Sequence, residues 1–482
     1  MSAALELDDV HECSSVGRLV VVWRISRIDF RAHEILDRKV IQVQRPDVKP
    51  VVTHGDKLPA RLLRCVRLRG LCRRRNLGGE FEWDEKLGGK RRQQDKDPIP
   101  QYDLTREAGS YNVPHVSSPI LAAVMPAPHA PIAIREFERP DLPSGSALLR
   151  TARSEVCGTD VHLWHGRLSG VPYPIIPGHV SAGTLESIRG PLTSLDGSHL
   201  REGDRAVFFD VHRTCGRCRA CTVHHTPTRC AARRVYGITD SATEGLFGGW
   251  SQYIYLEPGV GIAKLPDSVQ FEDYIGGGCG LLTAVHIIER AGLQPGETVL
   301  VQGVGAVGLS AIALAKLTGA ASIFAIGDPQ PRLARAREMG ADLTFSLGET
   351  SAEERLTAVR DRTHGEGVDV VIEAAGSPRA IEEGVHLVRN GGRYIVAGHY
   401  TDAGPSSLNA HHDINRKHLE IRGCWGSQVH HFLEAIRVLE RHAADVPWRT
   451  IGQRTYSLAW LNAALEDAEA MRITKAIVDP WL

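Results

Sequence analysis

Glu297-Thr-Val-Leu-Val-Gln302 runs into Gly303-Val-Gly305-Ala-Val-Gly308 and then into the apolar stretch Leu309 to Leu317. A short apolar strand, a G-x-G-x-x-G turn and a helix-forming segment, in that order, leave the chain few choices. The glycines allow a tight turn and a close approach of backbone to a pyrophosphate, which then sits among the free N–H groups of a helix N-terminus. The spacing by itself is a weak signal, and the strand–turn–helix context is what gives it weight. The same alternation continues downstream. Ala321 to Ile326 reads as a strand, Arg332 to Gly340 as a helix, Val368 to Glu373 as a strand and Ala380 to Arg389 as a helix. Asn390 to Gly392 then reads as a turn and Arg393 to Ala397 as a strand. Residues 280–425 are therefore expected to form a Rossmann-type, doubly wound parallel sheet. Upstream, Leu281 to Ala291 reads as a helix that Gly292 ends.

An acidic residue that grips the adenosine ribose should fall about 20 residues beyond such a motif. Asp328 stands at that place behind Gly327, with Arg332 and Arg335 following. Asp328 favours NAD; the two arginines are of the kind that would serve a 2′-phosphate. The reading leans to NAD.

Residues 118–279 have a different character. Short apolar runs at Ile120 to Val124, Ile132 to Phe137, Ala147 to Ala152, Ser181 to Ile188 and Arg205 to Phe209 alternate with Pro and Gly turns, an antiparallel β pattern. Its loops carry the chemistry. Cys157-Gly-Thr-Asp-Val-His162 and Pro177-Gly-His179 bring together a thiol, a hydroxyl, a carboxylate and two imidazoles. Cys and His are zinc ligands, and a catalytic zinc takes three protein ligands and keeps one position open. Cys215-x2-Cys218-x2-Cys221-x8-Cys230 supplies four thiolates, a closed tetrahedral shell, with Arg213, Arg217, Arg219 and Arg229 nearby to favour thiolate over thiol. The tail from about residue 426 offers helices at His431 to His442 and Leu461 to Met471 and a strand at Lys475 to Val478. It is expected to complete the β-rich domain, so that residues 118–279 and 426–482 form one unit.

Composition excludes several classes. Lys+Arg and Asp+Glu both number 57, which points to neither nucleic acid nor an anionic membrane. There is no apolar run near the roughly 20 residues of a bilayer span, and Met1 to Glu12 lack the basic residues of a targeting peptide. Closely spaced cysteines in such a chain read as metal ligands, so a cytoplasmic enzyme is expected. Residues 1–117 hold one apolar run, Leu19 to Trp23, and an Arg- and Lys-rich stretch from Arg61 to Arg92 containing Cys65 and Cys72. Few periodic apolar positions occur there, so a solvated extension without a packed core is expected.

This order of parts resembles the zinc-dependent medium-chain alcohol dehydrogenase family, over about Ser118 to Leu482, with Gly158 as in its polyol- and threonine-dehydrogenase-like members. The resemblance implies an α/β chain with a GroES-like β-rich catalytic domain and a Rossmann domain. It implies catalytic zinc on Cys157, His179 and Cys279, structural zinc on Cys215, Cys218, Cys221 and Cys230, and a nicotinamide cofactor on Gly303, Gly305, Val307, Gly308, Asp328 and Arg332. Thr159 would take the proton of the alcohol, His162 would end the relay to solvent, and Asp160 would hydrogen-bond a ligand histidine. Lys475 matches a basic position near the cofactor pyrophosphate. A small-molecule, secondary alcohol substrate and a homodimer or homotetramer follow by the same analogy, with Trp164, Val211 and His212 as candidate pocket residues. One departure stands out: the family usually reads G-H-E, and here His179 is followed by Val180. Two alternatives stay open: a zinc-free, NADPH-dependent quinone or enoyl reductase of the same superfamily, and a non-catalytic binding protein on the same scaffold.

Overall fold

The computed structural model describes residues 119–482 and the backbone of two short strands nearer the N-terminus. Those strands, Val10–Ser15 and Arg18–Trp23, pair antiparallel in a tight hairpin. The apolar run Leu19 to Trp23 lies in the second of them. The basic stretch from Arg61 to Arg92, with Cys65 and Cys72, lies outside the described residues.

The β-rich part is built around Ser146–Val156, whose inward positions are fully buried. It pairs antiparallel with Ser181–Arg189, with Tyr253–Leu256 and with the C-terminal strand Lys475–Val478. The tail therefore returns to this sheet, placing Ala476 opposite Val156. Arg205–Phe208, Ile262–Lys264 and Gly452–Tyr456 complete seven strands. A small hairpin, Val211–Arg213 with Arg234–Val235, forms the base of the cysteine-rich loop.

The second sheet has six parallel strands, β1 (Thr298–Gln302), β2 (Ser322–Gly327), β3 (Leu343–Ser346), β4 (Val368–Glu373), β5 (Val388–Val396) and β6 (Glu420–Gly423). Their order is β3-β2-β1-β4-β5-β6. The chain order reverses between β1 and β4, which opens a crevice at the carboxyl ends of those strands. Strands covered on both faces read as continuous apolar runs, and Val299, Leu300 and Val301 are all fully buried.

Two elements depart from expectation. The helix expected from Leu281 begins at Phe271 and runs to Ala291, across the expected junction of the two domains. Gly276, Gly277 and Gly278 lie inside it, and Gly278 breaks it at φ +47°, ψ −142°. Strand β5 starts at Val388, so the expected turn at Asn390 to Gly392 is an irregularity within the strand, where the register with β4 shifts. In both places glycine reads locally as an end, while packing of the flanking residues carries the element through.

Candidate active site and metal centres

Cys157 follows the last residue of Ser146–Val156 and caps the short helix Gly158–Trp164. Its N–H donates to Asp160 Oδ2 at 2.8 Å, and its sulfur in turn accepts from the Asp160 N–H. His179, 5% exposed, follows the turn at Gly178. Cys279 stands just past the helix break. Ligand atoms of Cys157, His179 and Cys279, together with a carboxylate oxygen of Glu155, lie within 4.8 Å of one another. Zinc bonds of roughly 2.0–2.3 Å give tetrahedral edges of about 3.3–3.8 Å, so a small adjustment closes this set around an ion. Glu155 Oε1 and His179 Nδ1 are buried without a hydrogen-bond partner. Buried polar atoms ordinarily have partners, and the orphaned Glu155 oxygen, 3.9 Å from His179 Nε2, fits a site made for a cation.

The electrostatics agree. Burial disfavours a charged His179, but Cys279, Glu155 and Asp160 outweigh it and push the imidazole up to about 10. Cys279, hydrogen-bonded by Cys157, is held below the usual thiol value, while Cys157 is raised by that same contact and by burial. Protons shared this way are those a metal would displace on binding.

The cysteine loop gathers Cys215, Cys218, Cys221 and Cys230 within the same 4.8 Å limit, all as free thiols. Backbone N–H groups of Arg217 and Cys218 draw Cys215 down to about 6. A third grouping, Glu289 with His430 and His431, is of another kind. His431 Nδ1 accepts the Gln428 N–H at 2.9 Å, so Nε2 carries the proton and donates to Glu289 at 2.9 Å. That nitrogen has no lone pair for a metal.

One cleft of about 430 Å³ joins the first cluster to the glycine turn. Cys157, Thr159, His162, His179 and Cys279 line one side, and Gly305, Val307 and Arg332 another. A Cβ at Gly308 would meet the Gly303 carbonyl at 1.8 Å, whereas one at Gly305 would meet nothing within 4 Å. The first glycine is demanded by packing; the second leaves space at the N-terminus of the helix Ala306–Thr318. Asp328 follows β2, where its carboxylate accepts Ser346 Oγ at 2.7 Å and the Gly348 N–H at 2.9 Å.

Several expectations need correction. Lys475 does not reach the cleft. It is 0% exposed and donates to Glu155 Oε2 at 2.7 Å and to the carbonyls of Ile275 and Gly277 at 3.1 and 3.2 Å. All three of its donors are used on Glu155 and on the helix turn before Cys279, which removes it from any pyrophosphate site. Asp160 makes no hydrogen bond to His179; its Oδ1 is buried without a partner, and Oδ2 serves Cys157. Val211 lines the cleft, but Trp164 packs on His129 and His165, and His212 is held by Glu257 and Asp240 at 2.7 and 3.0 Å. Residues that sequence reasoning passed over include Glu155, Tyr400 and Trp425. The two rings stack 5.7 Å apart in the cleft wall. Glu155 was legible in principle, since residues two apart on a strand share a face and Cys157 lies two beyond it.

A GroES-like β sheet, a dinucleotide-type sheet and two soft-ligand clusters in this arrangement define a zinc-binding dehydrogenase. The chain belongs to the zinc-binding medium-chain alcohol dehydrogenase family. The alcohol dehydrogenase GroES-like domain family matches residues 143–267 and the zinc-binding dehydrogenase family matches residues 306–441. The chain is 33% identical to a 5-exo-hydroxycamphor dehydrogenase of Pseudomonas putida over 341 residues, 70% of this chain and 92% of that one. It is 32% identical to a sorbitol dehydrogenase of Bacillus subtilis, over 55% of this chain and 72% of that one. Among solved structures it resembles an alcohol dehydrogenase of Thermotoga maritima, with 34% identity and a TM-score of 0.72 over 75% of this chain and 99% of that one. It is an oxidoreductase of the alcohol dehydrogenase type, and its family implies zinc and a nicotinamide cofactor. Among the described residues, no helix is long and apolar enough to cross a membrane.

Proposed function

We propose that the chain oxidises a secondary alcohol to a ketone with NAD, using one catalytic and one structural zinc, and that it works in the cytoplasm as a homodimer or homotetramer. The observation that carries this reading is the single cleft that presents Cys157, His179 and Cys279 opposite Gly305 and Val307. Residues 118–279 with 426–482 would be the catalytic domain and residues 280–425 the cofactor domain. Cys215, Cys218, Cys221 and Cys230 would hold the structural ion. A zinc-free reductase would have no use for either donor cluster.

Zinc on Cys157, His179 and Cys279 would supply Lewis acidity, which makes an alcohol O–H more acidic. The remaining work falls to side chains. Thr159, in the cleft wall, would accept the alcohol proton and hand its own toward His162. His162, half-buried, lies 3.4 Å from Thr401 Oγ1 through its Nδ1. Burial, then the charges of Arg167 and His165, hold its pKa below the ordinary histidine value, so it is neutral at pH 7 and able to accept. Val180, 4% exposed, and the Tyr400–Trp425 stack exclude water from the reacting carbon. The apolar stack and the hydroxycamphor-dehydrogenase relative make bulky cyclic secondary alcohols the first substrates to try.

The test is zinc quantitation followed by a screen of cyclic secondary alcohols and polyols with NAD and NADP in parallel, read as cofactor reduction. Two zincs per chain and turnover with NAD are expected, with turnover abolished in Cys157→Ser. Wild-type turnover in that variant would defeat the assignment.

A further inference from the structure

The residue after His179 is apolar, yet the site contains a carboxylate. Glu155 reaches it from the strand below, 0% exposed, with Oε1 3.9 Å from His179 Nε2 and no hydrogen-bond partner of its own. Its other oxygen is fixed by Lys475 at 2.7 Å. The strand's alternation puts Glu155 on the face from which Cys157 projects. Space for the pair is made by Gly278, where a Cβ would meet Glu155 Oε2 at 2.0 Å and Lys475 Nζ at 2.4 Å. A carboxylate brought into a dry interior is costly unless both oxygens find a use. The lysine accounts for one. The four atoms that lie within 4.8 Å of one another account for the other.

We propose that Glu155 is a fourth protein donor to the catalytic metal, anchored through Oε2 by Lys475 and able to bring Oε1 onto the ion or withdraw it when substrate takes the open position. Val180 then fills space beside a metal whose carboxylate comes from the strand that delivers Cys157. The proposal rests on the zinc reading of Cys157, His179 and Cys279 given above.

The experiment uses the full chain with cobalt exchanged into the catalytic site, and compares wild type with Glu155→Gln. Glutamine keeps an acceptor for Lys475 but offers the metal a weaker donor. The cobalt ligand-field spectrum is expected to change, and release of the catalytic metal to excess chelator to become about 10–100-fold faster. A purely structural role would lower stability and leave the spectrum as it was. If Glu155→Gln does not fold, the paired variant Glu155→Leu/Lys475→Met removes both charges together and is expected to show the same faster release. Unchanged spectrum and release in a folded variant overturn the role of Glu155 alone. A wild-type chain that takes no metal at this trio overturns both this inference and the zinc reading beneath it.

Discussion

Arg332 Nη2 donates to the Ile473 carbonyl at 2.6 Å, tying the helix after β2 to the loop before the last strand of the other sheet. Its Nε is buried without a partner, its pKa is lowered by burial, and the residue lines the cleft with Gly305. On the reading proposed above, a half-satisfied guanidinium there would serve as a counter-charge for a dinucleotide phosphate. Arg332→Gln is expected to weaken NAD binding by tenfold or more, from about 1.5–3 kcal/mol per charged hydrogen bond, with zinc content unchanged. Calorimetric titration measures it, and an unaltered Kd would take Arg332 out of the cofactor site.

Lys475 and Glu155 form a buried ion pair, both 0% exposed. Burial alone would raise Glu155, yet Lys475 and then His179 hold it below its ordinary carboxylate value. Lys475→Met leaves that carboxylate without its main counter-charge. The expected loss is about 3–5 kcal/mol in a denaturant titration, with NAD affinity little affected in the folded fraction. Weakened NAD binding at full stability would restore the pyrophosphate role that burial rules out.

His162→Gln should slow alcohol oxidation more at pH 7 than at pH 9. At the higher pH, hydroxide takes over the outer proton acceptance that glutamine cannot perform. Pre-steady-state oxidation rates at the two pH values check this, and an equal effect at both would sink the relay.

His431 gives a pH signature remote from the chemistry. Burial, then the nearby His286 and His430, push it down to about 4. The unfolded chain takes up this proton near pH 6.5, the folded chain only near 4. Its stabilising contribution is therefore whole above about pH 6.5 and drains away as pH falls toward 4. Urea unfolding across that window should show the slope, and His431→Gln should flatten it.

Cys221→Ser should leave one zinc per chain and lower the unfolding temperature by more than about 5 °C, the shift expected for a loss of some 2 kcal/mol in a domain of this size. Residual activity should persist below the new transition. Two zincs retained would mean the four thiolates hold no ion.

Much of this was legible in the chain. Soft ligands and glycine turns need particular residues at particular spacings, so Cys157, His179 and the Gly303 turn stood out as candidates in the sequence, while Cys279 came only with the family resemblance. Burial and direction were not legible. Lys475 carries a charge that motif matching sends to the nearest phosphate, and only the packing of the last strand shows it facing Glu155. The family resemblance makes Asp160 a histidine partner, but the helix end claims its carboxylate first. Gly276 to Gly278 read as the end of an element because glycine weakens helices, whereas the surrounding core carries the helix through them.

That break has a mechanical consequence. Beyond Gly278 the helix packs on Ala306–Thr318, the helix that follows the glycine turn. Cys279 therefore stands on the helix that packs against the one after the glycine turn, while Cys157 and His179 follow elements of the β-rich sheet. Zinc held as proposed above would be tied to both, and any shift of that helix against the β-rich sheet would change its grip, a gauge of whether the cleft is open or shut. Gly278, at φ +47° and ψ −142°, is the place in the helix where such a shift would be absorbed.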